Sequence, residues 1–312
     1  MTLKPLLLAL LAPALAAAKA PHIVVILADD LGYGDLRCYN PESRIPTPNL
    51  DRFARQGMRF TDGHSPATVC SPSRYSLLTG RCAFRGRASG VFVGVGGPCR
   101  ITADQLTLPG MLREKGYRTA MFGKWHVGLS FFDKDTGEPL RRGDLAAVRR
   151  ADFRRPIPDA PIHRGFDAFF GTACCPTTDW LYTYIEGDRV TEVPTILMDE
   201  AEKRRRQLPD NPYTHDFREG LATASFEPEN VDLVFLEKSL AFLKQHRRQR
   251  PEQPFFLVHS LQAVHLPSIP AEAYRGKTAA GPHGDFIFQL DAIVGRLMAA
   301  LDELGFAENT LV

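Results

Sequence analysis

The feature that most constrains the fold is a set of short apolar segments that alternate with segments of helical periodicity. The first, HIVVILADD at residues 22–30, is rich in β-branched residues and ends in two carboxylates. Continuous apolar runs of this length are typical of parallel strands that are buried on both faces. Two further runs, YRTAMFG at 117–123 and PFFLVHSLQ at 254–262, have the same character. The alternation predicts an α/β fold with a mostly parallel central sheet and helices on both faces.

Four segments between and after these runs have the apolar spacing of helices. Thr47 and Thr107 stand at predicted N-caps, and Gly57 and Gly116 are expected to end the two shorter helices. The four segments are TPNLDRFARQG at 47–57, TLPGMLREKG at 107–116, NVDLVFLEKSLAFLKQH at 230–246 and DFIFQLDAIVGRLMAALDELG at 285–305.

Two other regions have a different character. Residues 130–225 are rich in Pro, Gly, Arg and Asp with weak periodicity, which predicts a long insertion of loops and short elements over the functional face. AENTLV at 307–312 resembles the first residues of a strand. Because a buried parallel strand is an unusual place for a terminus, we expect the natural protein to continue with further strands and a C-terminal subdomain.

The first 18 residues, MTLKPLLLALLAPALAAA, predict a cleaved signal peptide. The mature chain, residues 19–312, is then expected outside the cytoplasm, in the periplasm or the extracellular space, without a membrane span. The net charge of +2 gives no strong case for a nucleic-acid partner. Arginines cluster at 141–155 and 202–207, which we interpret as solvated faces; a surface for an anionic polymer is the alternative.

Two patterns contain residues that could bind a metal ion or an anion. Asp29 and Asp30 follow a predicted buried strand, at the sheet edge where ligands bind in open α/β folds, and their paired oxygens suit Ca²⁺ or Mg²⁺. A solvated turn is an equally good interpretation of these two residues alone. Cys70 stands at a predicted helix start with Arg74 one turn further on, where the helix dipole favours an anion and a lowered thiol pKa is expected. A structural or disulfide cysteine is the alternative.

The remaining cysteines do not define a disulfide framework. Cys82 and Cys99 could pair, but connectivity does not follow from sequence. Cys174 and Cys175 are adjacent, and a disulfide between sequence neighbours is strained.

The segment CSPSRYSLLTGR at 70–81 resembles the signature of the sulfatase family, Cys-x-Pro-x-Arg followed by a Thr-Gly step. The residues that match it are Cys70, Pro72, Arg74, Thr79, Gly80 and Arg81. The resemblance implies an alkaline phosphatase-like fold. It also implies that a formylglycine-generating maturation enzyme oxidises Cys70 to formylglycine, an aldehyde.

Three further segments resemble elements of the same family. LADDLGYGDL at 27–36 resembles its first metal loop, which implies Asp29, Asp30 and the converted Cys70 as ligands of Ca²⁺, with Mg²⁺ the weaker candidate. GKWHVG at 123–128 resembles a Lys-x-His element, carried by Lys124 and His126. LQAVHLP at 261–267 resembles a third element, carried by His265.

The resemblance implies hydrolysis of a sulfate ester, with a sulfated carbohydrate as the expected substrate. The hydrated aldehyde, held by Arg74, would attack sulfur; Lys124 and His265 would hold the sulfate; His126 would accept a proton and His265 donate one to the leaving oxygen. The family's Asp-Asn pair and substrate lysine lie beyond the matched segments, so we expect weak metal binding and little activity from these 312 residues alone.

Two other functions stay open on the sequence. One is a phosphonate or phosphate ester hydrolase of the same superfamily, because some of these share Cys-x-Pro-x-Arg. The other is a non-catalytic fragment that binds anionic glycans.

Overall fold

The strands of the chain form one large sheet and one small sheet. The computed structural model describes residues 19–85, 90–92 and 95–312, and within them the strands form a seven-stranded and a three-stranded sheet. The strands are β1 (His22–Leu27), β2 (Arg118–Lys124), β3 (Ala168–Thr172), β4 (Leu181–Tyr182), β5 (Ile185–Glu186), β6 (Arg189–Val190), β7 (Ile196–Met198), β8 (Gly220–Ala222), β9 (Phe255–Ser260) and β10 (Thr310–Leu311).

The large sheet has the order β10-β1-β9-β2-β3-β5-β6. Its first five strands are parallel, while β5 and β6 are antiparallel additions at one edge. The predicted mostly parallel sheet is therefore confirmed, and the three apolar runs of the sequence are its adjacent strands β1, β9 and β2. Residues 310–311 pair with the start of β1, as expected for a segment that begins a strand.

The helices are α1 (Pro48–Gln56), α2 (Cys70–Thr79), α3 (Leu108–Glu114), α4 (Leu145–Arg150), α5 (Glu200–Arg205), α6 (Val231–Gln249) and α7 (Gly281–Glu303). All four predicted helices are present. Thr107 caps α3 by accepting a hydrogen bond from the amide of Gly110, as predicted. Thr47 also stands at the predicted N-cap of α1, but its hydroxyl makes no capping hydrogen bond and instead donates to Oδ1 of Asp51 at 3.2 Å.

Both faces of the large sheet are buried, which explains why its strands lack alternation. Phe255 and Leu257 of β9 pack into the apolar cluster that contains α6 and α7. Their neighbours Phe256 and Val258 point to the opposite face, into a cluster built from α2, α3 and the segment after β2. Since successive side chains of a strand point to opposite faces, each of these residues is core.

The segment 130–225 does not lie wholly outside the sheet. It contributes β3, which pairs with β2 along its whole length, and it also forms the small sheet β4-β8-β7. Cys82 and Cys99 are both thiols. The predicted signal peptide, residues 1–18, lies outside the described residues. Among the described residues, no helix has the length and apolarity needed to cross a membrane.

Candidate active site

The predicted site residues meet at one edge of the large sheet. Asp29 follows β1, Lys124 ends β2, Cys175 follows β3 and His265 follows β9. Cys70 is the first residue of α2. Because the carboxyl ends of parallel strands lie at the same edge, four segments that are distant in sequence deliver their side chains to one place.

A buried cluster of charges forms the floor of this site. The ammonium group of Lys124, which is fully buried, donates a hydrogen bond to Oδ2 of Asp29. Nη2 of Arg74 lies 3.6 Å from Oδ1 of the same carboxylate. Nη1 of Arg74 donates to the carbonyl oxygen of Lys124 at 2.7 Å and to Oγ of Ser260 at 2.5 Å. Lys124 and Arg74 therefore both interact with the one carboxylate of Asp29.

The pKa values of these groups keep them ionised at neutral pH. Burial by itself would raise the pKa of Asp29, but the charges of Lys124 and Arg74 outweigh it and lower that pKa. Burial likewise opposes the charge on Lys124, yet the negative charges of Cys175 and Asp29 raise its pKa. The pocket therefore holds permanent cations beside Cys70, which suits an anionic ligand.

A close backbone approach places Lys124 next to β9. Gly123, the residue before it, has φ of +128°, and a Cβ atom there would lie 1.8 Å from the carbonyl oxygen of Ser260. Only glycine fits this position without moving one of the two strands.

His126 is fully buried, and its two ring nitrogens have different partners. Nε2 is hydrogen-bonded to the carbonyl oxygen of Phe92, which can only accept, so Nε2 carries the hydrogen. Nδ1 therefore keeps its lone pair, and it lies 3.7 Å from Sγ of Cys175. Burial, together with the charge of Lys124, lowers the pKa of His126, so the ring is neutral and can accept a proton.

His265 has the opposite protonation tendency. Its Nδ1 is hydrogen-bonded to the carbonyl oxygen of Leu266, while Nε2 lies 3.6 Å from Sγ of Cys175 and 3.8 Å from Oδ2 of Asp30. Burial would lower the pKa of His265, but the interaction with Cys175 outweighs it and raises that pKa. The two histidines thus form a pair with one base and one acid.

Asp30 and His126 share a strained backbone conformation. Their φ angles are +60° and +59°, in the left-handed region that non-glycine residues rarely adopt. Each such residue costs on the order of 1–2 kcal/mol, and such strain is concentrated at functional sites. Asp30 is also exposed, so its carboxylate faces solvent beside the buried Asp29.

The thiols of Cys70 and Cys175 interact directly. The hydrogen bond that Cys70 shares with Cys175, together with burial, raises the pKa of Cys70. The same hydrogen bond and the charge of Lys124 lower the pKa of Cys175 well below the usual thiol value. The expectation of a lowered pKa at Cys70 is therefore wrong. Position at a helix start favours a lowered thiol pKa, but here the hydrogen bond between the two thiols lowers the pKa of Cys175 instead.

Sequence analysis missed Cys175 and Asp232. The sequence pattern offers Cys175 only as a disulfide partner, because β3 falls within the predicted insertion of residues 130–225. The carboxylate of Asp232, at the start of α6, accepts hydrogen bonds from the amides of Gln262 and Ala263 at 2.7 and 2.9 Å. Burial raises its pKa to about 6. Asp232 therefore holds the loop that carries His265.

The donor chemistry is compatible with a hard cation. Asp29 and Asp30 supply carboxylate oxygens, the ligands that Ca²⁺ prefers. The carboxylate of Asp30 is exposed, and 3.8 Å separates it from its ion-pair partner His265, so it is accessible to a cation. The thiol of Cys70 is a soft donor and adds an oxygen ligand only after conversion.

The fold and this site define an α/β protein with a buried cluster of cationic and thiol side chains at the carboxyl edge of its parallel sheet. A family model described as sulfatase matches residues 21–312. The chain therefore belongs to the sulfatase family, and the predicted alkaline phosphatase-like α/β fold is confirmed.

Named relatives are similar over nearly the whole chain. Arylsulfatase A of Homo sapiens is 34% identical over 320 residues, covering 98% of this chain and 53% of the relative. N-acetylgalactosamine-6-O-sulfatase of Bacteroides thetaiotaomicron is 31% identical over 305 residues, covering 95% and 58%. A solved structure described in connection with glycosaminoglycan metabolism by Bacteroides thetaiotaomicron has a TM-score of 0.77 at 28% identity, covering 94% and 61%. The chain spans a little over half the length of these curated relatives.

Proposed function

We propose that the whole protein hydrolyses sulfate esters, with a sulfated carbohydrate as substrate. The observation that carries this proposal is the meeting of Cys70, within its Cys-x-Pro-x-Arg segment, with Arg74 and the buried Lys124 at one sheet edge. Similarity to an N-acetylgalactosamine-6-O-sulfatase supports the choice of a carbohydrate. The proposal includes export by the predicted signal peptide of residues 1–18 and a formylglycine-generating enzyme as a partner.

Asp29 and Asp30 would hold Ca²⁺. Formylglycine at position 70, when hydrated, supplies a hydroxyl nucleophile for sulfur, and Ca²⁺ supplies charge neutralisation of the sulfate oxygens. Ca²⁺ takes six to eight oxygen ligands, so two carboxylates are only part of its shell.

Arg74 and Lys124 would bind and orient the sulfate group. Both side chains are buried and lie beside Cys70. Nε of Arg74 is buried without a hydrogen-bond partner among the described residues, so the guanidinium keeps an unused donor. An anion would accept a hydrogen bond from this donor.

The two histidines would move protons. His126 has a lowered pKa and a lone pair on Nδ1, so it is suited to accept a proton from the group at position 70. His265 has a raised pKa, so it is suited to donate a proton to the leaving alcohol oxygen. This division of roles follows from burial around His126 and from the anionic Cys175 beside His265.

The test is turnover of an aryl sulfate by the full-length protein, expressed with a maturation enzyme. Peptide mass over residues 70–74 reports conversion of Cys70. The Cys70→Ala variant should have no activity above background, whereas Cys38→Ser, which removes a thiol outside the site, should keep it. Unchanged turnover in Cys70→Ala would refute the proposal. Faster hydrolysis of an aryl phosphate, or heparin binding without turnover, would favour the two alternative functions.

A further inference from the structure

We propose that the chain, while Cys70 is still a thiol, binds Zn²⁺ through Cys70, Cys175 and His126, with His265, which lies beside Cys175, as the candidate fourth ligand. This site is distinct in chemistry from the calcium site, because its donors are sulfur and nitrogen. It concerns the unconverted protein, so it does not depend on the proposed sulfate ester hydrolysis.

The distances place three donors within reach of one zinc ion and His265 next to one of them. Sγ of Cys70, Nδ1 of His126 and Sγ of Cys175 all lie within 4.8 Å of one another. Sγ of Cys175 is 3.7 Å from Nδ1 of His126 and 3.6 Å from Nε2 of His265. Zn–S bonds of about 2.3 Å and Zn–N bonds of about 2.0–2.1 Å in a tetrahedron separate sulfur from nitrogen by about 3.5–3.6 Å. Both measured distances are therefore close to those of a formed site.

Both histidines already have the orientation of metal ligands. The remote nitrogen of each ring is hydrogen-bonded to a backbone carbonyl, of Phe92 for His126 and of Leu266 for His265. A carbonyl accepts only, so each remote nitrogen carries the hydrogen; the near nitrogen of His126 then presents a lone pair to Cys175, and that of His265 does so once it has released its proton. Histidines that bind metals nearly always donate their other N–H to such a partner.

The charge balance also favours a divalent cation with two thiolates. Two thiolates and two neutral imidazoles cancel the charge of Zn²⁺. The nearest permanent cation, Lys124, is paired with Asp29 and need not be displaced. Cys175 and His126 are buried, so the ligands are shielded from competing water.

Conversion of Cys70 would remove one of the two sulfur ligands. The proposed modification therefore changes the metal preference of the pocket, from a soft cation before conversion to a hard one after it. Bound zinc would also occupy the thiol that a maturation enzyme must oxidise. This last consequence alone rests on the proposed function.

The experiment uses the chain expressed without a maturation enzyme, with intact mass confirming that Cys70 is unmodified. Co²⁺ is titrated as a spectroscopic substitute for Zn²⁺, and Zn²⁺ affinity is then measured by competition. We expect one tetrahedral Co²⁺ with a thiolate charge-transfer band. Loss of a residue that only hydrogen-bonds to a metal ligand lowers metal affinity by about 10–100-fold. Cys175→Ser removes a ligand itself, so it should lower the Zn²⁺ affinity by about 100-fold or more. Cys82→Ser, which removes an exposed thiol elsewhere, is the matched control and should bind as the wild type does.

A second measurement uses only the wild-type chain, so it does not depend on whether the Cys175→Ser variant folds. In the wild-type chain, Zn²⁺ should protect Cys70 and Cys175 from a thiol-alkylating reagent while Cys38 and Cys82 still react. Peptide masses report each cysteine separately. An unchanged alkylation rate at Cys70, a Co²⁺ spectrum without thiolate charge transfer, or wild-type affinity in a folded Cys175→Ser variant would each overturn the proposal.

Discussion

Replacing Lys124 tests whether the buried charge cluster of the site is held together as the structure indicates. Lys124 is fully buried and its ammonium group bonds to Asp29, whose side chain is only 5% exposed. Lys124→Met keeps a similar length of apolar chain but removes the charge. Asp29 is then left in a buried environment with Arg74, at 3.6 Å, as its remaining cation.

The expected cost follows from the geometry. Removing one member of a buried ion pair typically costs about 3–5 kcal/mol, because the other charge is left uncompensated. Arg74 still compensates Asp29 in part, so we expect the lower end, a loss of about 3 kcal/mol in the free energy of unfolding. The double variant Lys124→Met with Asp29→Asn removes both charges and should lose markedly less than the sum of the two single variants.

Urea unfolding at pH 7, with a double-mutant cycle over these two positions, is the assay. The pH dependence gives a second check. The pKa of Asp29 is lowered in the folded wild type, so its stabilising contribution is present above the unfolded pKa near 3.8 and is lost as pH falls through the folded value. Without Lys124 that pKa should rise, and the gap between variant and wild type should narrow as pH falls. The reasoning would be refuted if Lys124→Met lost less than about 1 kcal/mol in the free energy of unfolding, or if the losses of the two single variants were additive in the double variant.

Two further predictions concern stability. Burial raises the pKa of Asp179 to about 7, so between pH 4 and 7 the folded state binds a proton that the unfolded state has lost, and the free energy of unfolding should fall as pH rises. Asp179→Asn should flatten this slope in urea unfolding at pH 5 and 8, and an unchanged slope would contradict the prediction. Gly123→Ala should cost more than about 2 kcal/mol, because its Cβ would meet the carbonyl of Ser260, whereas Gly137→Ala, with φ of +74° and no atom within 4 Å, should cost about 1 kcal/mol. Equal losses of unfolding free energy in the two glycine variants would contradict the predicted clash with the carbonyl of Ser260.

Local sequence was sufficient for the core of the fold. The runs at 22–30, 117–123 and 254–262 form the adjacent parallel strands β1, β2 and β9, because residues buried on both faces must be apolar at every position. β3 was not predicted, although it is the next strand of the same sheet. Its residues AFFGT form a run of only five within a segment rich in polar loops, so their burial depends on pairing with β2.

Some residues of the site could be placed together from the sequence, and others could not. Asp29, Lys124, His126 and His265 follow strands, and Cys70 begins a helix, so their convergence at one edge could be predicted from the order of the elements. The partner of Cys70 could not, since Cys175 is more than 100 residues away and its approach depends on β3 joining the sheet beside β2.

The sequence by itself determined which residue types stand at the ends of the strands, because periodicity and capping are local properties of the chain. Only the tertiary structure decided how those groups share charge and protons. The lowered thiol pKa belongs to Cys175 rather than Cys70, and His265 rather than His126 has the raised pKa. Protonation depends on burial and on charges a few ångströms away, and those neighbours are brought together only when the sheet assembles.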